Sequence, residues 1–112
     1  MEITKEEQDG ITIVAVSGRI DAITSARLEE ALMGYIDQGA ARIILDMKNV
    51  EQMTSAGLRV ILLASQQLHG KGRFVLARPG PEEMEILEMV GFDTILSIHS
   101  GLEDAKNEAG SG

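Results

Sequence analysis

Two short runs of β-branched and aliphatic residues, "ITIVAVSG" at 11–18 and "RIILDMK" at 42–48, are each followed by a segment with helical spacing. A run of that kind reads as a buried strand. Strands that alternate with helices argue for an α/β domain whose sheet is largely parallel. The same alternation continues to the end. "RFVLAR" at 73–78 and "TILSI" at 94–98 read as strands, and "GLEDAKNEA" at 101–109 as a weak terminal helix. Before the first run, Asp9-Gly10 is a hairpin signal, because both residues tolerate positive φ. It makes the polar segment around Ile3 the partner of the first strand.

Each helix shows one apolar stripe. Leu28, Leu32, Tyr35 and Ile36 share a face in the first, with Gly39 suited to end it. In the second, Leu58, Ile61, Leu62, Ser65 and Leu68 share a face that Val60, Leu63 and Ala64 broaden, and Gly70 and Gly72 follow. Pro81 suits the first position of the third. Met84, Leu87 and Val90 are its expected inner side and Gly91 its end. One domain is expected over 1–108, with a flexible tail over 109–112.

Composition removes several functions. The net charge is −8, which disfavours nucleic acid, since phosphate contacts need clustered Lys and Arg. Only three aromatic residues are present, too few for base stacking. There is no cysteine, hence no disulfide framework and no thiolate metal site. The longest apolar stretch, Val60 to Ala64, is too short to span a bilayer. "MEITKEEQDG" is acidic and lacks the basic-then-apolar layout of a signal peptide. A cytoplasmic protein without membrane insertion is expected.

No catalytic constellation is visible. A serine-hydrolase elbow needs G-x-S-x-G, and Met53 stands two residues before Ser55. "GKGR" at 70–73 lacks the remaining parts of a P-loop. His69 and His99 have no partner motif. The acids of "PEEMEILE" are expected to face solvent. The chain is expected not to be an enzyme and to need no cofactor or metal.

One word is nearly repeated: "TSARL" from Thr24 and "TSAGL" from Thr54. Each follows a strand, so parallel strands place both at the carboxyl edge of the sheet, where open α/β sheets hold their sites. Asp21 belongs to the same edge. Ser and Thr cap helix N-termini, and capping alone accounts for Thr24-Ser25. Gly57 is unusual in the first turn of so apolar a helix, where it costs about 1 kcal/mol relative to alanine. It either exposes backbone beside Ser55 to another molecule or makes room for packing. A serine at a free helix N-terminus is both a cap and a plausible phosphate acceptor. Arg59 stands one turn later on the same face.

The chain resembles the anti-sigma-factor antagonist family, also called the STAS domain, over about Ile3 to Ala105. The resemblance rests on "SGRID" at 17–21, "ILDMKNVEQMTSAGLRVIL" at 44–62 and "EILEMVGF" at 85–92. It implies a mixed sheet of four to five strands with helices mainly on one face. Ser55 takes the place of the serine that the family phosphorylates, Gly57 and Leu58 those of the following glycine and leucine. Asp21 matches an aspartate that the family holds near the phosphoserine. The residue before the serine is often Asp in phosphorylated members; here it is Thr54. The implied function is partner switching. The domain would bind an anti-sigma factor that is also an ATP-dependent serine kinase, through Asp21, Thr54, Ser55, Ala56, Gly57 and Arg59. Phosphorylation of Ser55 would release it, and a PP2C-type phosphatase would restore it. The alternative is a non-phosphorylated STAS module of a transporter or signalling scaffold.

Overall fold

A computed structural model describes residues 1–111. Five strands form one sheet in the order β1-β2-β3-β4-β5: β1 (Glu2–Gln8), β2 (Ile11–Ile20), β3 (Arg42–Met53), β4 (Arg73–Ala77) and β5 (Ser97–His99). The first pair is antiparallel and the other three are parallel. Asp9 (φ +54) and Gly10 (φ +80) make the two-residue turn between β1 and β2, the positive-φ geometry that matches strand twist. The helices are α1 (Ala22–Asp37), α2 (Ser55–Leu68), α3 (Pro81–Met89) and α4 (Leu102–Gly110).

The main core joins one face of the sheet (Val14, Val16, Ile43, Leu45, Leu76) to Leu28 and Leu32 of α1, Val60, Ile61 and Ala64 of α2, and Leu87 of α3. Alternation sends Ile11, Ile13, Ile44, Val75 and Ala77 to the other face, under Ala105 and Ala109 of α4. Three helices therefore lie on one face and one on the other, and the mixed, largely parallel sheet is as expected. Near the α4 face, buried Asp46 of β3 is held by the Arg78 guanidinium beyond β4. Among the described residues no helix is long and apolar enough to cross a membrane.

Several boundaries differ from expectation. β3 does not stop at Lys48; it pairs with β2 as far as Met53, directly before the second word. Two irregularities, after Ala15 and after Gly18, each give β3 one extra residue against β2, and bulges of this kind bend a ribbon and re-aim the residues beyond them. In α2 the buried stripe is Gly57, Val60, Ile61, Ala64 and Leu68, rotated from the expected one, with Leu58, Leu62 and Ser65 half-buried. Val90, just past the end of α3, is exposed, and Glu83 within it is buried rather than facing solvent. Its carboxylate folds back over Gly80, where a Cβ would meet Glu83 Oε1. The tail expected from 109 is not separate from the domain. Ala109 is buried, Gly110 ends α4, and the Arg42 and Arg73 guanidinium groups donate to the carbonyls of Gly110 (2.7 Å) and Ser111 (2.8 Å). Residue 112 lies outside the described residues.

Candidate functional site

The last paired residues of β2 and β3 are Ile20 and Met53. Asp21 comes directly after one and Thr54 after the other, and each is the N-cap of a helix. The topology thus brings the N-termini of α1 and α2 side by side at the carboxyl edge of the sheet. The two ends are finished in opposite ways.

The α1 end is closed. Asp21 Oδ1 accepts from the backbone N–H groups of Ile23 and Thr24, both at 3.0 Å. The Thr24 hydroxyl accepts from Asp21 N–H at 2.8 Å, completing a reciprocal capping box. It also donates to the Arg19 carbonyl at 2.7 Å. The Thr24 N–H holds the Asp21 carboxyl below its ordinary value, and desolvation opposes it. The Thr24 hydroxyl, the Ile23 N–H and the Arg19 charge add to the lowering. The first word therefore does not start a helix. Thr24 is the third helical residue, and Ser25 is buried in the fourth position, where its hydroxyl donates to the Ala22 carbonyl at 3.1 Å. Ser25 caps nothing. The signal for this was the D-x-x-T spacing at Asp21 and Thr24, a variant of the capping box.

The α2 end is open. Thr54 is its N-cap, yet its side chain makes no capping bond. The hydroxyl donates instead to the Ile20 carbonyl at 3.0 Å, which also accepts from Thr54 N–H at 3.0 Å. The N–H groups of Gly57 and Leu58 turn back to the Thr54 carbonyl, at 3.0 and 3.3 Å. Those of Ser55 and Ala56 have no acceptor among the described residues, as first-turn donors do when no side chain caps them. Ser55 is the first helical residue and not a cap. Its side chain is exposed, and among the described residues its hydroxyl forms no hydrogen bond. Such an end carries positive potential and donors that favour an anion.

Ala56 is half-buried and Gly57 buried. A Cβ on Gly57 would lie 2.8 Å from Ile20 Cγ2 and 3.0 Å from Met53 Cγ. The glycine therefore makes room for packing; its backbone is covered by Ile20 and offers no approach to another molecule. Arg59 stands on the exposed side of α2, with NH1 2.9 Å from Glu29 Oε1 of α1. Glu29, thirty positions away, carried no local signal that would have singled it out.

The family model described as STAS domain matches residues 2–105. BtrV of Bordetella bronchiseptica, a candidate anti-sigma factor antagonist, is 33% identical over 106 residues, covering 94% of this chain and 91% of its own length. The anti-sigma-F factor antagonist RsfB of Mycobacterium tuberculosis is 26% identical over 103 residues, covering 92% and 84%. The crystal structure of an anti-sigma factor antagonist from Mycobacterium paratuberculosis superposes with a TM-score of 0.92 at 25% identity, over 98% of this chain and 94% of that one.

Proposed function

The chain belongs to the STAS domain family, and we propose that it is an anti-sigma factor antagonist whose contact surface is the shared N-terminal edge of α1 and α2. Its partner is an anti-sigma factor that is also an ATP-dependent serine kinase. The chain is that kinase's substrate and not an enzyme, and a PP2C-type phosphatase reverses the modification. Sigma-factor control and ATP place this cycle in the cytoplasm.

The observation that carries the reading is the Ser55 hydroxyl: exposed, without a hydrogen bond among the described residues, and set on the open first turn of α2. The two neighbouring hydroxyls differ. That of Thr54 is tied to the Ile20 carbonyl, and that of Ser25 is buried against Ala22. Among the hydroxyls of the two words, only that of Ser55 is free to be presented to a kinase. Once phosphorylated, the end of α2 holds a dianion where the partner would sit. The helix dipole tolerates that charge in the free chain, whereas a packed contact does not.

The test is reconstitution with the anti-sigma kinase of the native organism. The unmodified chain should form a complex, lose it as ATP is consumed and a single phosphate appears on Ser55, and regain it after PP2C treatment. A complex indifferent to ATP, or a phosphate on Thr54 or Ser25, would overturn the reading.

A further inference from the structure

We propose that Arg59 is a phosphate-responsive residue, paired with Glu29 of α1 while Ser55 is unmodified and transferred to the phosphate once Ser55 carries one. This rests on the reading of Ser55 given above and concerns what the modification does to the surface. A kinase transfers the γ-phosphoryl group of ATP to Ser55 Oγ. The Oγ–P bond forms, the bond to the β-phosphate oxygen breaks, ADP leaves with that electron pair, and the hydroxyl proton passes to a base on the kinase.

Arg59 is the only charged side chain on α2. It stands four residues after Ser55, on the same helical face, and side chains on a helix lean toward its N-terminus. Its reach to a phosphate on Ser55 therefore needs a change of rotamer and no movement of backbone. At present its NH1 sits 2.9 Å from Glu29 Oε1, in a pair whose side chains are 65% and 35% exposed. A pair so exposed is weak and readily given up. A phosphate near pH 7 offers nearly two charges and three acceptor oxygens, and the guanidinium fork binds it through two parallel bonds. The competition favours the phosphate.

The exchange alters more than one position. Arg59 partly neutralises the phosphate, while Glu29 loses its cation and becomes an additional open carboxylate on α1. The negative charge created at Ser55 is thus spread across both helices of the contact surface. Arg19 is a second cation whose charge reaches this edge, at Asp21. Arg27 is directed to the Met1 carbonyl at 3.4 Å.

The experiment uses the full chain with phosphoserine placed at position 55 during translation, and tracks the phosphate by phosphorus NMR as pH is varied. Its second ionisation, ordinarily near pH 6, should occur about 0.3–1 pH unit higher in Arg59→Gln than in the native chain. Arg59→Lys should fall between them, and Glu29→Gln should match the native chain or lie below it. Arg19→Gln should move it less than Arg59→Gln. An ionisation unchanged by Arg59→Gln, or governed by Arg19 alone, would overturn the exchange. Partner release is measured separately on the same phosphorylated chains. Release on phosphorylation together with an ionisation indifferent to Arg59 leaves the switch standing and removes the exchange. An Arg59-dependent ionisation without release supports the exchange and removes the switch.

Discussion

Ile20 occupies the space that a side chain on Gly57 would need, its Cγ2 lying 2.8 Å from the position of a Cβ there. This contact ties the end of β2 to the first turn of α2 and so fixes the direction in which Ser55 is offered. Helix propensity alone favours Gly57→Ala by about 1 kcal/mol. Overpacking against Ile20 and Met53 costs about 1–3 kcal/mol, so the net expectation is destabilisation. Denaturant unfolding should show a lower midpoint with an unchanged slope. An Ile20→Val, Gly57→Ala double variant should recover part of the loss if this contact is its cause.

The bond from Thr54 to the Ile20 carbonyl leaves α2 uncapped, and changing Thr54 separates its two roles. Thr54→Val keeps the shape and loses the hydroxyl, with an expected cost of about 1 kcal/mol, while phosphorylation still occurs. Thr54→Asp supplies an acceptor to the free N–H groups and should stabilise α2, since Asp is among the best N-caps. Thermal unfolding of the pair checks both signs. Loss of phosphorylation in a folded Thr54→Val chain would mean that Thr54 is itself an acceptor.

Alternation of apolar runs and helical stripes made the layers legible, because burial on one face of an element leaves a period in the chain. Asp9-Gly10 was legible as the hairpin turn because its φ values are restricted locally. The capping of α1 was less so. Thr24 and Ser25 are both good caps by type, and only the reciprocal bonds with Asp21 show that the helix begins earlier. Gly57 was legible as unusual, but its reason was not, because Ile20 lies 37 positions away and reaches it only through the β2–β3 pairing. The ion pair of Arg59 with Glu29 and the burial of Glu83 are likewise tertiary, with no period or motif to announce them. Position 55 could be read from the resemblance; the open helix end that makes its hydroxyl available could not.

Asp21 gives a pH dependence whose sign is fixed. Its carboxyl is held below the ordinary 3.8 in the folded chain, first by the Thr24 N–H. The folded state thus binds fewer protons at Asp21 than the unfolded state does. Its contribution is fully present above the unfolded value and is lost as pH falls through the lower folded one. Stability should decline below about pH 4 with a part that is absent in Asp21→Asn. Asparagine keeps the cap but does not titrate. Unfolding midpoints of both chains between about pH 2 and pH 6 (a range set by the usual carboxylate values) test this, and parallel curves would remove Asp21 as a contributor.

At Ser55 stability and binding should part company. Its hydroxyl forms no hydrogen bond among the described residues, so Ser55→Ala should change stability by less than about 0.5 kcal/mol. Ser55→Asp places a negative charge at the first position of an uncapped helix, where the dipole favours it by about 0.3–1 kcal/mol. The aspartate chain should therefore be at least as stable as the native one. Binding to the anti-sigma partner should run the other way. Arg59 can neutralise that charge only in part, and a charge carried into a packed contact where the partner offers no matching cation is repelled and costly to desolvate. A loss of about 3 kcal/mol would weaken the complex more than a hundredfold. Ser55→Ala should bind as the unmodified chain does and remain bound when ATP is added. Calorimetric titration of the two folded variants measures the difference, and equal affinities would show that charge at this helix end does not govern release.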